Sequence, residues 1–187
     1  MKLYGNLKLK AGAASLMTLG VLAIAPAGAP AQACQTESGG VNASAGSCTA
    51  PKGRIAKLVN GKAIAPAGAP AEIKAVIAAA NRIETKPYIY GGGHGKWWDA
   101  GYDCSGAVSY ALHGGGLLDS PMPSGSFQTW ERLGLGKWIT TFAQGGHMYA
   151  VIAGLRWDTS MTPGDGPGWS KQMRSPAGFV ARHPAGF

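Results

Sequence analysis

Asp103-Cys104-Ser105-Gly106-Ala107-Val108-Ser109-Tyr110-Ala111-Leu112-His113, followed by Gly114, is the stretch from which the rest of the chain can be read. Asp103 is a natural N-cap. Ala107, Val108, Tyr110, Ala111 and Leu112 form an apolar helical face, and Gly114 is a stop signal. The helix therefore begins at Cys104. Unpaired backbone N–H groups and the positive end of the helix dipole meet a thiol placed there, and both favour the thiolate, the nucleophilic form.

Upstream, Ile73, Val76, Ile77, Ala80 and Ile83 recur at helical spacing behind Pro70, so residues 70–84 read as an amphipathic helix, and Pro87 imposes an extended exit. Downstream, the runs 138–142, 148–152, 155–158 and 179–182 are short, apolar and bounded by Gly or Pro, and read as antiparallel strands. Helices first and strands after give an α+β order.

A nucleophilic thiol needs a base, and the base needs an orienting group. His147 opens the 148–152 strand behind Gly145 and Gly146. Asp158 ends the next strand across the turn at Gly154. An antiparallel hairpin can bring 147 and 158 together, which makes Cys104, His147 and Asp158 the candidate catalytic set. Bland alternatives stand beside it: a Cys on an apolar helix also suits a small core residue, and a strand-end His a plain hydrogen-bonded one. A zinc site from Cys104, His147, Asp158 and His94 matches no ligand spacing, so neither a metal nor an organic cofactor is expected. His94, after three glycines and before Trp97-Trp98, is close enough in sequence to line a cleft mouth, though a solvated loop residue is the favoured reading.

The 187 residues include 45% hydrophobic and 14% charged, which fits a globular core rather than a disordered chain. Lys+Arg number 17 against 9 Asp+Glu, but the positives form no stripe; an anionic polymer such as a cell wall suits this balance better than nucleic acid. Lys2, Lys8 and Lys10, the apolar stretch 11–25 and the small-x-small end Ala31-Gln32-Ala33 read as a secretory signal covering 1–33. Beyond it no apolar run is long enough to span a membrane. Residues 34–69, rich in Gly, Ala and Pro, read as a largely unstructured linker or pro-segment. Cys34 either pairs with Cys48 in an oxidising compartment or carries a lipid, and the pairing leaves Cys104 over. The nonapeptide AIAPAGAPA occurs at 23–31 and again at 63–71, two copies being too few for a repeat architecture.

Three features together resemble the NlpC/P60 cell-wall peptidases: Pro87-Tyr88-Ile89-Tyr90-Gly91-Gly92-Gly93, the Asp103-Cys104-Ser105-Gly106 turn, and the His147 strand. The resemblance covers about residues 70–183, within a catalytic domain taken as 70–187. It implies a papain-like α+β fold, with the nucleophile at a helix N-terminus packed on a small antiparallel sheet. It also implies hydrolysis of amide bonds in peptidoglycan stem peptides by a secreted, monomeric enzyme. Cys104 would be the nucleophile and His147 the base. The third member would be Asp158, with Thr159 as its neighbour to consider. Tyr88, Asp103 and Ser105 would help bind the amino end of the stem peptide. Pro123-Ser124-Gly125-Ser126 lacks the Arg usual in relatives, and the segment 136–142 replaces their usual lead-in to the His strand. Two other readings keep the same residues: a papain-like acyltransferase or lipid-modifying enzyme, and a catalytically silent wall-binding module.

Overall fold

The computed structural model describes residues 53–161 and 166–187. The signal segment and the Cys34–Cys48 pairing lie outside the described residues. The first element is a hairpin of β1 (Lys57–Val59) and β2 (Lys62–Ile64), paired antiparallel with Leu58 opposite Ala63. Within 53–69, the described part of the segment read as largely unstructured, this hairpin is a correction. The cause is local: Asn60 and Gly61 take positive φ values of 49° and 80°, the conformation that a two-residue hairpin turn demands and that Asn-Gly supplies. Ala63 is 3% exposed, and it opens the second copy of AIAPAGAPA, which runs from β2 through a turn into the next helix.

Helix α1 (Ala71–Ile83) buries Ile73, Val76, Ile77, Ala80 and Ile83, the stripe anticipated from the sequence. Helix α2 (Cys104–Gly114) packs against it at close range. A Cβ on Gly114 would lie 2.2 Å from that of Ala79, and one on Gly115 2.3 Å from Val76 Cγ2, so the absence of side chains there sets the helix separation. A single short turn, α3 (Ser124–Phe127), leads to the sheet.

That sheet has six strands: β3 (Arg132–Leu133), β4 (Ile139–Ala143), β5 (Met148–Ile152), β6 (Leu155–Asp158), β7 (Gly168–Ser170) and β8 (Val180–His183). Their order is β3-β8-β4-β5-β6-β7, with every neighbour antiparallel. The architecture is α+β, as the element order implied. Met148, Ala150, Ile152, Leu155 and Trp157 are all buried in one apolar core with Ala107, Val108 and Leu112 of α2.

Polar groups inside this body have specific partners. Asn81 of α1 accepts from Ala63 N at 3.0 Å, donates to Ala63 O at 2.8 Å and accepts from Trp169 Nε1 at 2.9 Å. One amide thus ties the hairpin, the helix and the far edge of the sheet together. The buried Trp157 indole donates to Ala107 O at 3.2 Å, fixing the first turns of α2 over β6 one residue before Asp158.

Candidate active site

Cys104 is the first residue of α2 and a free, half-buried thiol. Its cap is Asp103, whose Oδ1 accepts from Gly106 N at 2.7 Å, while Ala107 N bonds to Asp103 O at 2.9 Å. The N–H groups of Cys104 and Ser105, earlier in the same turn, have no acceptor within the helix. The end of α2 is therefore both a seat for a thiolate and a set of donors aimed past it.

His147 precedes β5, held by the bond from Gln144 N to its carbonyl at 2.9 Å. Ala150 pairs with Trp157 across the β5–β6 hairpin, and continuing that register sets Asp158 across from Tyr149, two positions from His147. Residues 147 and 158 are then diagonal neighbours on one face, within side-chain reach. His147 Nε2 lies 3.0 Å from Asp158 Oδ1. The other ring nitrogen is left for the thiol of Cys104. Hydrogen bonding to Asp158 first, and to Cys104 second, raises the His147 pKa from 6.5 to about 9 against the opposing effect of burial.

Asp158 is fully buried at its side chain, and its charge is well compensated. Oδ1 also accepts from Ser160 N and Oγ, both at 3.0 Å, and Oδ2 meets Arg174 Nη1 at 3.3 Å and Arg156 Nε at 3.7 Å. Burial alone would raise its pKa, but the bonds from His147 and Ser160 outweigh burial and leave it below the usual carboxylate value. Arg174 also bonds Ser160 Oγ at 2.8 Å and stands over the Phe179 ring, which meets His147 edge-on. Thr159 is buried beside Asp158, and the side chain that meets His147 is that of Asp158.

The remaining candidates are the two neighbours of Cys104 in the chain and Tyr88, whose backbone pairs with Tyr102. Tyr88 forms a bridge with Tyr102, and burial, then the charges of Cys104 and Asp103, raise the pKa of its phenol. Asp103 and Ser105 are joined by a bond from Ser105 Oγ to Asp103 Oδ1 at 3.1 Å. A fourth residue joins them: His94 Nε2 lies 3.0 Å from Asp103 Oδ1 and 3.1 Å from Ser105 Oγ. The reading of His94 as a solvated loop residue is corrected by these contacts. Its sequence signals, the three glycines before it and Trp97-Trp98 after it, allowed a cleft-mouth position without favouring it.

No family model matches the chain, and no curated protein matches it. Among solved structures, that of the peptidoglycan hydrolase RipB from Mycobacterium tuberculosis is similar, at 23% identity and a TM-score of 0.46, over 59% of this chain and 64% of that one. The P60 domain of antigen MAP1204 from M. avium subspecies paratuberculosis is similar at 22% identity and a TM-score of 0.46, over 59% of this chain and 93% of that one. The chain thus spans less than two thirds of the length of the RipB structure.

Proposed function

We propose that this protein is a cysteine peptidase that hydrolyses amide bonds in peptidoglycan stem peptides. The observation that carries the chemistry is the 3.0 Å bond between the His147 imidazole and the buried Asp158 carboxylate, with the Cys104 thiol at a helix N-terminus near enough to raise the pKa of the same imidazole. The substrate class is supported by the motif resemblance around Tyr88–Gly93 and Asp103–Gly106 and by the kind of protein whose structures are similar.

In the proposed reaction the Cys104 thiolate attacks the amide carbonyl carbon, and the carbonyl electrons move onto oxygen. The N–H groups at the start of α2 stabilise that oxyanion. The His147 imidazolium gives its proton to the leaving nitrogen as the C–N bond breaks. Neutral His147 then takes a proton from water, whose hydroxide attacks the thioester and releases the acid and the thiolate. Asp158 keeps the imidazole oriented and stabilises its positive charge throughout. Arg156, Arg174 and Ser160 keep that carboxylate in place.

Export through residues 1–33 and action in the cell envelope as a monomer belong to the same proposal. Among the described residues no helix is long and apolar enough to cross a membrane. The test is digestion of purified peptidoglycan by the protein and by its Cys104→Ala variant, with mass spectrometry of the soluble fragments. Stem-peptide fragments are expected from the former alone. Transfer of the acyl group to an acceptor other than water would favour the acyltransferase reading, and an unreactive Cys104 with no fragments would favour the silent module.

A further inference from the structure

Arg174 lies between β7 and β8, and its guanidinium is held by one edge and by its faces. Nη1 donates to Asp158 Oδ2 at 3.3 Å and to Ser160 Oγ at 2.8 Å. Cζ stands 5.5 Å from the centre of the Phe179 ring and 5.9 Å from that of Tyr149. Nε and Nη2 have no hydrogen-bond partner among the described residues, on a side chain 34% exposed. Those two nitrogens share the side edge of the guanidinium, where two parallel N–H groups match the two oxygens of a carboxylate. Arginine stays protonated at any working pH, so the fork is always charged.

The balance of charge points the same way. Among the described residues Asp158 is the one acid that meets either Arg156 or Arg174, at 3.7 and 3.3 Å. Arg156 is the more enclosed of the two, 12% exposed, with Nη2 on Met161 Sδ and a buried Nε that has no hydrogen-bond partner. One carboxylate thus faces two guanidinium groups, and the surplus positive charge meets solvent mainly at Arg174. Asp158 and Phe179 relate that charge to the reaction. The carboxylate holds His147 on Oδ1 and Arg174 on Oδ2. The Phe179 ring beneath Arg174 meets His147 edge-on, with centroids 6.3 Å apart. Arg174 therefore flanks His147, the group that protonates the leaving nitrogen in the proposed reaction.

We propose that Arg174 is a substrate-binding residue that takes a carboxylate carried by the leaving part of the peptide, and that it selects this acid over the corresponding carboxamide. This deepens the peptidase reading and rests on it. A carboxylate accepts from Nε and Nη2 together and offsets the surplus charge. A carboxamide brings one oxygen, no charge, and an NH2 group that sets donors against donors. Because Asp158, Ser160 and the two rings already hold the guanidinium, little side-chain freedom is lost when the substrate arrives. Arg174 then serves the site with two edges, one keeping Asp158 in place and the other meeting the substrate.

The test uses two soluble stem peptides that share one cleavable bond and differ in the first carboxyl group beyond the leaving nitrogen, free in one and a carboxamide in the other. kcat/KM is expected to favour the acid by about tenfold, the low end for a charged hydrogen bond because Arg174 is partly solvated, and the difference should lie mainly in KM. Arg174→Gln should bring the two peptides within about threefold of each other, whereas loss of support for Asp158 alone would slow both equally. Arg174→Lys, which keeps the charge without the fork, should fall between. If the glutamine variant unfolds, inhibition of the unaltered protein by the two leaving fragments makes the same comparison, the acid acting at about tenfold lower concentration. Binding of both peptides to the Cys104→Ala protein by calorimetry should show the same order. Equal cleavage, preference for the carboxamide, or a preference unchanged in Arg174→Gln would overturn this inference and leave the peptidase standing. Preferential binding of the acid with no cleavage would overturn the peptidase and leave the recognition. Neither cleavage nor binding would overturn both.

Discussion

His147 sits between two partners of opposite consequence. Asp158 holds it protonated, and Cys104 gains reactivity from that proton being close. A group whose folded pKa is about 9 against an ordinary 6.5 adds stability that is complete below pH 6.5 and lost as pH rises through about 9. The same proton is needed by the leaving group, so kcat/KM should fall on an alkaline limb near pH 9. Asp158→Asn removes the carboxylate that is the largest cause of the rise. The limb should therefore move to lower pH, and kcat should drop by about 10²-fold or more as the imidazolium loses its counter-charge. A pH–rate profile of the two proteins checks both statements. The approach of 147 to 158 was legible in the sequence because it depends on a hairpin register, and the place of Cys104 at a helix start because it depends on a cap, whereas the packing of α2 on the sheet is encoded by neither local signal. The place of His94 was legible only as the less favoured alternative, because the close approach of Gly92 O to Gly106, which no periodicity encodes, brings it onto Asp103 and Ser105.

At the level of elements, the site depends on α2 keeping one position over β6. The Trp157 indole bond to Ala107 O is the link. Trp157→Phe keeps most of the apolar contact and deletes the donor, so it should cost about 1–2 kcal/mol in urea unfolding. Because the bond is one turn from Cys104, kcat should fall with it. The glycine turn is the other support. Gly93 has φ +84° and no room for a Cβ. Gly93→Ala should destabilise by about 1–3 kcal/mol, as thermal unfolding would show. Helices α1 and α2 and strands β4, β5, β6 and β8 were readable within about a residue, since each is long enough to carry its own period. Strands β3 and β7 were not, being two and three residues long. The β1–β2 hairpin carried its Asn60-Gly61 signal inside a stretch whose small, polar composition suggested a linker.

For the molecule as a whole, the described body extends ahead of the helical core to include β1 and β2, and Asn81 holds them there. Asn81→Ala leaves the Ala63 backbone and the Trp169 indole without partners and should cost about 2–4 kcal/mol by denaturant unfolding. The residues that act on the thiol come from both halves of the fold, α2 and its preceding loop on one side and the β5–β6 hairpin on the other. Neither half holds the site alone. The proposed chemistry requires that Cys104 carry an acyl group during turnover. Mixing the protein with a soluble stem peptide, quenching in acid and measuring intact mass resolves that thioester, with product release followed in the same samples. The expected result is an acyl adduct mapped to Cys104 and product formation lost in Cys104→Ala. Products released equally by both proteins, with no adduct, would contradict it.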